Sequence, residues 1–169
     1  MKGTRSLSTI ALMVSMWTVA SGISTAATDT KSTVIKAKVG KVAIVIVNTN
    51  TITFPDMDPD ETRQIPAIPN DIKGIVKVRT GGTDLTNLNI IADGDLRSGS
   101  DTIPVQNVVW QASGQGFRSG TLSKSTVQTA GSWKGSGVRE GVFRYYLNNS
   151  WNYQKGKYRV IVTYTLTTP

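Results

Sequence analysis

Residues 158–166 read Tyr-Arg-Val-Ile-Val-Thr-Tyr-Thr-Leu, an order that admits one regular structure. Tyr158, Val160, Val162, Tyr164 and Leu166 fall on one side of an extended chain and Arg159, Thr163 and Thr165 on the other. That period of two is what a half-buried β-strand requires. The β-branched and aromatic content favours the same geometry, because such side chains pack well on a pleated surface. Ordering a terminus costs conformational entropy, so a strand here is expected to contribute an edge or a face to the core or to a partner.

The alternation recurs upstream. Ile35, Ala37 and Val39 oppose Lys36 and Lys38, and Val76 and Val78 oppose Lys77 and Arg79. No window carries the apolar spacing of an amphipathic helix, whereas strands account for nearly every apolar residue. They are expected over 33–39, 41–49, 51–54, 72–80, 85–92, 105–113, 116–122, 126–131, 141–147 and 157–167. Turn formers such as Pro55-Asp56, Gly81-Gly82, Asp93-Gly94-Asp95 and Gly114 separate them at hairpin spacing. The expected fold is all-β, a single antiparallel β-sandwich. The 56–70 stretch, with Pro59, Pro66 and Pro69, is the longest irregular connection. It is expected along a sheet edge, since proline cannot donate to a ladder.

Lys2 and Arg5 precede an apolar run from Ile10 to Ala20, and the small residues Ser21, Gly22, Ser24, Thr25, Ala26 and Ala27 follow it. This is the pattern of a signal peptide over 1–27, which leaves a mature domain of residues 28–169. The apolar run is about half of the roughly 20 residues a bilayer span needs. No transmembrane segment is therefore expected in the mature chain, and the protein should be secreted or held at a bacterial cell surface. The sequence holds no cysteine and no histidine. Disulfides contribute nothing to an exported chain of this kind, and the usual zinc sites and Ser-His-Asp or Cys-His systems cannot be built. The expectation is a protein that is not an enzyme. The weakest alternative is a small hydrolase using paired carboxylates.

Charge is uneven. Residues 28–101 carry nine basic and ten acidic side chains, and residues 102–169 eight basic and one acidic, Glu140. The second half is a candidate cationic surface for an anionic cell-wall polysaccharide or a neighbouring subunit, although basic residues on outer strand faces also keep edges soluble. Export argues against nucleic acid. Aromatics gather in the same half, and Trp110-x-x-Ser113-Gly114 is weakly repeated as Trp133-x-x-Ser136-Gly137. Each glycine is placed to form a bulge or turn. Trp110, Trp133, Trp151, Tyr153, Lys155 and Lys157 are candidate ligand or partner contacts, with Trp151, flanked by Asn149, Ser150 and Asn152, the best placed for exposure. No cofactor is expected. Asp56, Asp58 and Asp60, or Asp93 and Asp95, offer oxygen ligands for Ca²⁺, but Asp and Gly are equally ordinary turn formers.

The ending Val162-Thr163-Tyr164-Thr165-Leu166-Thr167-Thr168-Pro169 resembles the close of the bacterial WxL cell-wall-binding domains, in which an aromatic-x-Leu strand precedes a proline. Tyr164 stands where that family has tryptophan. Val42 to Pro55, two apolar strands ending in Phe-Pro, is similar to the opening of exported β-sandwiches of the spore-coat and fimbrial kind. The resemblance implies an immunoglobulin-like or fimbrial-like sandwich and adds Tyr164 and Leu166 to the candidate contacts. Two readings follow. One is a structural protein of the cell surface or an extracellular appendage that pairs through strand edges with itself or other envelope proteins. The other is a carbohydrate- or cell-wall-binding module using tryptophan and Lys/Arg.

Overall fold

The computed structural model describes residues 31–169, so the expected signal peptide lies outside the described residues. The chain divides into two units, Met1–Ala37 and Lys38–Pro169. In the first, residues 31–37 have no regular secondary structure and their side chains are exposed. The strand expected over 33–39 is thus not formed. An alternating segment becomes a strand only when a neighbour takes up its N–H and C=O groups, and none of the described strands pairs with it.

The second unit is all-β. Its strands are β1 (Val42–Val47), β2 (Gln64–Pro66), β3 (Ile72–Arg79), β4 (Leu85–Ala92), β5 (Leu96–Ser98), β6 (Asp101–Ile103), β7 (Val108–Ser113), β8 (Gly120–Thr121), β9 (Gln128–Lys134), β10 (Gly137–Asn148) and β11 (Val162–Thr167). Every named pairing is antiparallel. One sheet runs β1-β3-β10-β7-β8 with β2 also on β10, a second runs β11-β4-β9, and β5 pairs with β6.

The long strand β10 is the spine of the larger sheet because it alternates along its inner half, burying Phe143, Tyr145 and Leu147 between the less buried Val142, Arg144 and Tyr146. β2 and β3 share one flank of it: Pro66 faces Tyr146 and Ile72 faces Phe143, while between them the buried Ala67 donates its N–H to the Tyr145 carbonyl at 2.9 Å. β2 pairs with no other named strand, an edge position where the missing N–H of Pro66 costs little. The sheets meet at one side through residues 116–118, where Phe117 bridges Gly131 and the Arg118 N–H donates to the Ala130 carbonyl at 2.8 Å.

Several boundaries differ from expectation for local reasons. The 105–107 stretch is a 3-10 turn after Pro104, residues 51–54 keep only the bridge Thr53–Ile68, and 116–122 shrinks to β8 plus the Phe117 bridge. β2, β5 and β6 are too short to show a period, so alternation does not announce them.

The core lies between the sheets. Ile72, Val76, Val108, Trp110, Phe143 and Tyr145 enter from the larger sheet, and Leu88, Ile90, Ala130 and Trp133 from the smaller. Phe117 packs edge-on against Trp133 at 4.9 Å and against Phe143 at 5.5 Å.

Candidate functional site

β1 and β11 lie side by side at one end of the unit. There Lys41 Nζ donates to the Pro169 carbonyl and the Thr168 hydroxyl bonds that of Thr80 at 3.0 Å. The two strands share no ladder, since β1 pairs only with β3 and β11 only with β4. Away from that end a cleft of about 1300 Å³ opens between them. Val47, Ile52 and Phe54 form one wall, and Tyr158, Val160 and Val162 the other. Behind it lies the core, with Ile72, Val108, Leu122, Tyr145 and Leu147 lining the cleft while staying buried.

The second wall is the segment that leads into β11, with an isolated bridge at Arg159, and among the described residues the backbone groups of Tyr158, Val160 and Val162 have no partner. Arg159 exchanges both of its backbone bonds with Arg97, at 2.9 and 3.0 Å. Ile161 accepts from the Asp93 N–H at 3.0 Å and donates its own N–H to Asp93 Oδ1 at 3.0 Å. Odd-numbered residues therefore spend their backbone groups on the strands behind them. By the alternation of an antiparallel ladder, the N–H and C=O of Tyr158, Val160 and Val162 point into the cleft. Side chains from the same three residues are half-buried and cover core, so this wall combines an apolar surface with a row of unspent donors and acceptors.

Tyr145 and Tyr164 cross the floor and bond hydroxyl to hydroxyl. Burial holds the Tyr145 hydroxyl well above the ordinary tyrosine range, with the neighbouring Tyr164 adding to it, and burial raises Tyr164 as well. Both are neutral at physiological pH, which leaves the floor uncharged. The rim is mixed: Asp93, Arg97, Lys157 and Arg159 all line it. Such a cleft can accept an extended apolar segment that supplies both side chains and ladder bonds.

The residues singled out from the sequence separate into three groups. Lys157 and Tyr164 line the cleft, and Leu166 is half-buried on the face that covers the core. Trp151 is 68% exposed and donates its indole N–H to Asp60 Oδ1 at 3.2 Å, with Lys155 also exposed. Tyr153, beside it, is half-buried; its hydroxyl donates to the Asn148 carbonyl at 2.7 Å and accepts from Asn107. Trp110 and Trp133 are 1% and 7% exposed and belong to the core. Their indole N–H groups donate to the carbonyls of Arg118 at 2.8 Å and Gln115 at 2.7 Å, which lets the whole ring be buried without an unsatisfied donor. The repeated Trp-x-x-Ser-Gly is not one repeated structure: Gly114, at φ 114°, follows the end of β7, whereas Gly137, at φ 154°, is the first residue of β10.

The acidic residues are engaged one at a time. Asp58 Oδ1 accepts from the Asp60 N–H at 2.8 Å, while Asp95 pairs with Lys124 and accepts from the Val105 N–H. Those bonds, that from Lys124 foremost, hold the Asp95 carboxyl below the usual range. Among the described residues no group of three acidic side chains converges on a common point, so the calcium expectation gains no geometry. The cationic half is partly neutralised, Arg144 pairing with Asp71 at 2.6 Å. No described helix is long and apolar enough to cross a membrane.

Sequence reasoning missed Val47, Ile52, Phe54 and Val160 as cleft residues. The alternation over 158–166 was the available signal, since it marks a core-facing strand without saying which neighbour it lacks. The chain matches no protein-family model and no curated protein.

Proposed function

We propose that this protein is a non-catalytic structural protein of the cell surface or of an extracellular appendage, and that it assembles by taking an extended segment of another subunit into the cleft beside β11. The observation that carries this reading is the cleft between β1 and β11, next to a chain edge at Tyr158, Val160 and Val162 whose backbone groups have no partner among the described residues. An unpaired edge beside a cleft walled by half-buried apolar side chains is a liability that folded proteins guard against, unless a partner covers it. Strand addition satisfies it, because ladder bonds supply affinity and alternate side chains occupy the cleft. Export by the N-terminal signal and the resemblance to exported fimbrial-type sandwiches agree with it.

Sedimentation of the mature protein over a concentration series, with amide exchange read at Val160 and Val162, tests the proposal. Growth in mass together with slowed exchange at those amides is expected. A strict monomer with fast exchange at every concentration overturns it.

A second reading has one observation in its favour. Trp151 is exposed yet fixed by Asp60, and Asn149 ties its loop to the carbonyls of Met57 and Thr62 at 2.8 and 3.1 Å. A fixed exposed indole suits stacking on a sugar ring, with Lys155 and Lys157 following in the chain. Loss of cell-wall retention in Trp151→Ala, with assembly unchanged, would support it.

A further inference from the structure

We propose that the outer face of the larger sheet, on β1, β3 and β10, is a self-complementary surface that pairs two copies of this chain. Residues directly opposite each other in an antiparallel ladder share a face. Ile44 stands opposite Lys77, and Lys77 opposite Val138; one row on, Ile46 stands opposite Ile75, and Ile75 opposite Glu140, with Val142 following opposite Lys73. This face is turned away from the core, because Val45, Val47 and Val78 of the other face pack against it. Ile44, Ile46 and Val138 are 44%, 43% and 56% exposed. Yet β1 reads Val-Ala-Ile-Val-Ile-Val without one polar residue, the run of a strand that is covered on both faces.

Charge identifies the cover. Lys77, Val138, Ile75 and Glu140 form four corners, with cation and anion on one diagonal and two aliphatic side chains on the other. Lys77 and Glu140 are exposed, and neither is in an ion pair among the described residues. Two such faces laid together about a two-fold axis along the Ile75–Val138 diagonal set Lys77 of each copy over Glu140 of the other. Ile75 and Val138 then meet their own counterparts, and Ile44 meets Val142 of the second copy. This is the reciprocity that an isologous contact requires. It turns one sheet across the other at about 90°, one of the two ways in which sheets pack. A depression of about 280 Å³ beside Glu140, lined also by Ile75, Ser113 and Val142, has room for the Lys77 stem of the second copy. An anionic surface would instead meet a like charge at Glu140, the one acidic side chain of residues 102–169.

The face is small. Three strands about 4.8 Å apart and four rows of side chains cover on the order of 300 Å², against roughly 800 Å² per partner in a standard interface. Pairing of free chains is therefore weak, and it strengthens in any assembly that raises the effective concentration of the face. None of the face residues lines the cleft, so the contact is separate from strand addition and does not rest on it.

The chain has no cysteine, so Val138→Cys puts a single thiol on the axis. Facing sheets lie about 10 Å apart, and a short bismaleimide spans two such thiols. The mature protein with this substitution is expected to link to itself. Adding Lys77→Glu or Glu140→Lys sets like charges opposite each other twice and should slow linking at least about 10-fold. An equimolar mixture of the two reversed chains restores attraction at both contacts. Linking between them should return to the original rate, as should self-linking of the chain that carries both reversals. Both residues are exposed, so the melting of every chain should be unchanged.

Equal linking rates in every chain, or a mixture as slow as its components, overturn the pairing of two copies. The same chains are read for amide exchange at Val160 and Val162. Slowed exchange there, with linking indifferent to charge reversal, sinks this face and leaves strand addition standing. Fast exchange with the linking pattern intact does the reverse.

Discussion

The hydroxyls of Tyr145 on β10 and Tyr164 on β11 hydrogen-bond to each other, and this pair ties the larger sheet to the smaller at the floor of the cleft. Both rings also pack on the core, Tyr145 against Trp110 at 6.4 Å and Tyr164 against Phe143 at 6.0 Å. Removing one hydroxyl leaves the other facing an apolar surround. Tyr145→Phe and Tyr164→Phe are each expected to cost about 1–2 kcal/mol, and the double variant less than the sum, because no orphan hydroxyl then remains. Denaturant unfolding of the four proteins gives the coupling; strict additivity would show that the bond contributes nothing.

The same pair gives the fold an alkaline limit. Burial raises both hydroxyls in the folded state, Tyr145 the further, above the ordinary value near 10 that they have when unfolded. A raised folded value means that the native state holds its protons where the unfolded chain releases them. The resulting stability is complete below about pH 10 and is lost as pH climbs above it toward the folded values. Unfolding midpoints at pH 8 and pH 11 should fall more in the native protein than in the Tyr145→Phe, Tyr164→Phe double variant. An equal fall in both would assign the alkaline limit elsewhere.

Alternation over 72–80 identified β3 because it has one face on the core and one in solvent, and β4 occupies the expected 85–92 span, whereas of the strand expected over 157–167 only Val162–Thr167 forms β11 and Arg159 keeps an isolated bridge to Arg97. The cleft was not legible. It arises from the separation of β1 and β11, strands far apart in sequence, and a period of two says nothing about which edge lies next to which. The tryptophans were ambiguous for a related reason. Trp110 and Trp151 differ in whether a carbonyl inside the core is within reach of the indole N–H, and that depends on the turn that returns residue 118 beneath Trp110. The 33–39 segment misled in the opposite sense, since its pattern is that of a strand and its own sheets offer it no place.

Glycines differ in what an added methyl group would meet. A methyl group at Gly131 would collide with the Trp133 ring, which Phe117 and the Gln115 carbonyl hold in place. At Gly82 nothing lies within 4 Å. Gly131→Ala is expected to cost about 1–3 kcal/mol or more through overpacking, and Gly82→Ala less than about 0.5 kcal/mol. Thermal melts of the two variants make the comparison, and similar midpoints would mean that Trp133 moves aside freely.

The two environments of tryptophan predict opposite consequences of truncation. Trp110→Ala empties a fully buried site and should cost about 3–5 kcal/mol. Trp151→Ala removes a ring that is 68% exposed and one bond to Asp60, so stability should change by no more than about 0.5 kcal/mol. A large loss of stability at Trp151 would mark its loop as structural and count against a role in sugar stacking.

Thr86 is the buried polar residue of the core: it is 0% exposed on β4, opposite Trp133 on β9, and its Oγ1 has no hydrogen-bond partner among the described residues. An unsatisfied buried hydroxyl costs about 1–3 kcal/mol of desolvation with no return. Valine has the same branched shape and keeps the χ1 preference that suits the strand. Thr86→Val is therefore expected to raise stability by about 1 kcal/mol, whereas Thr86→Ala, which also leaves a void, should lower it. Denaturant midpoints with unchanged m-values would separate the two effects. If the valine variant were instead the less stable, the hydroxyl must have a bonding partner in solution, most simply an internal water.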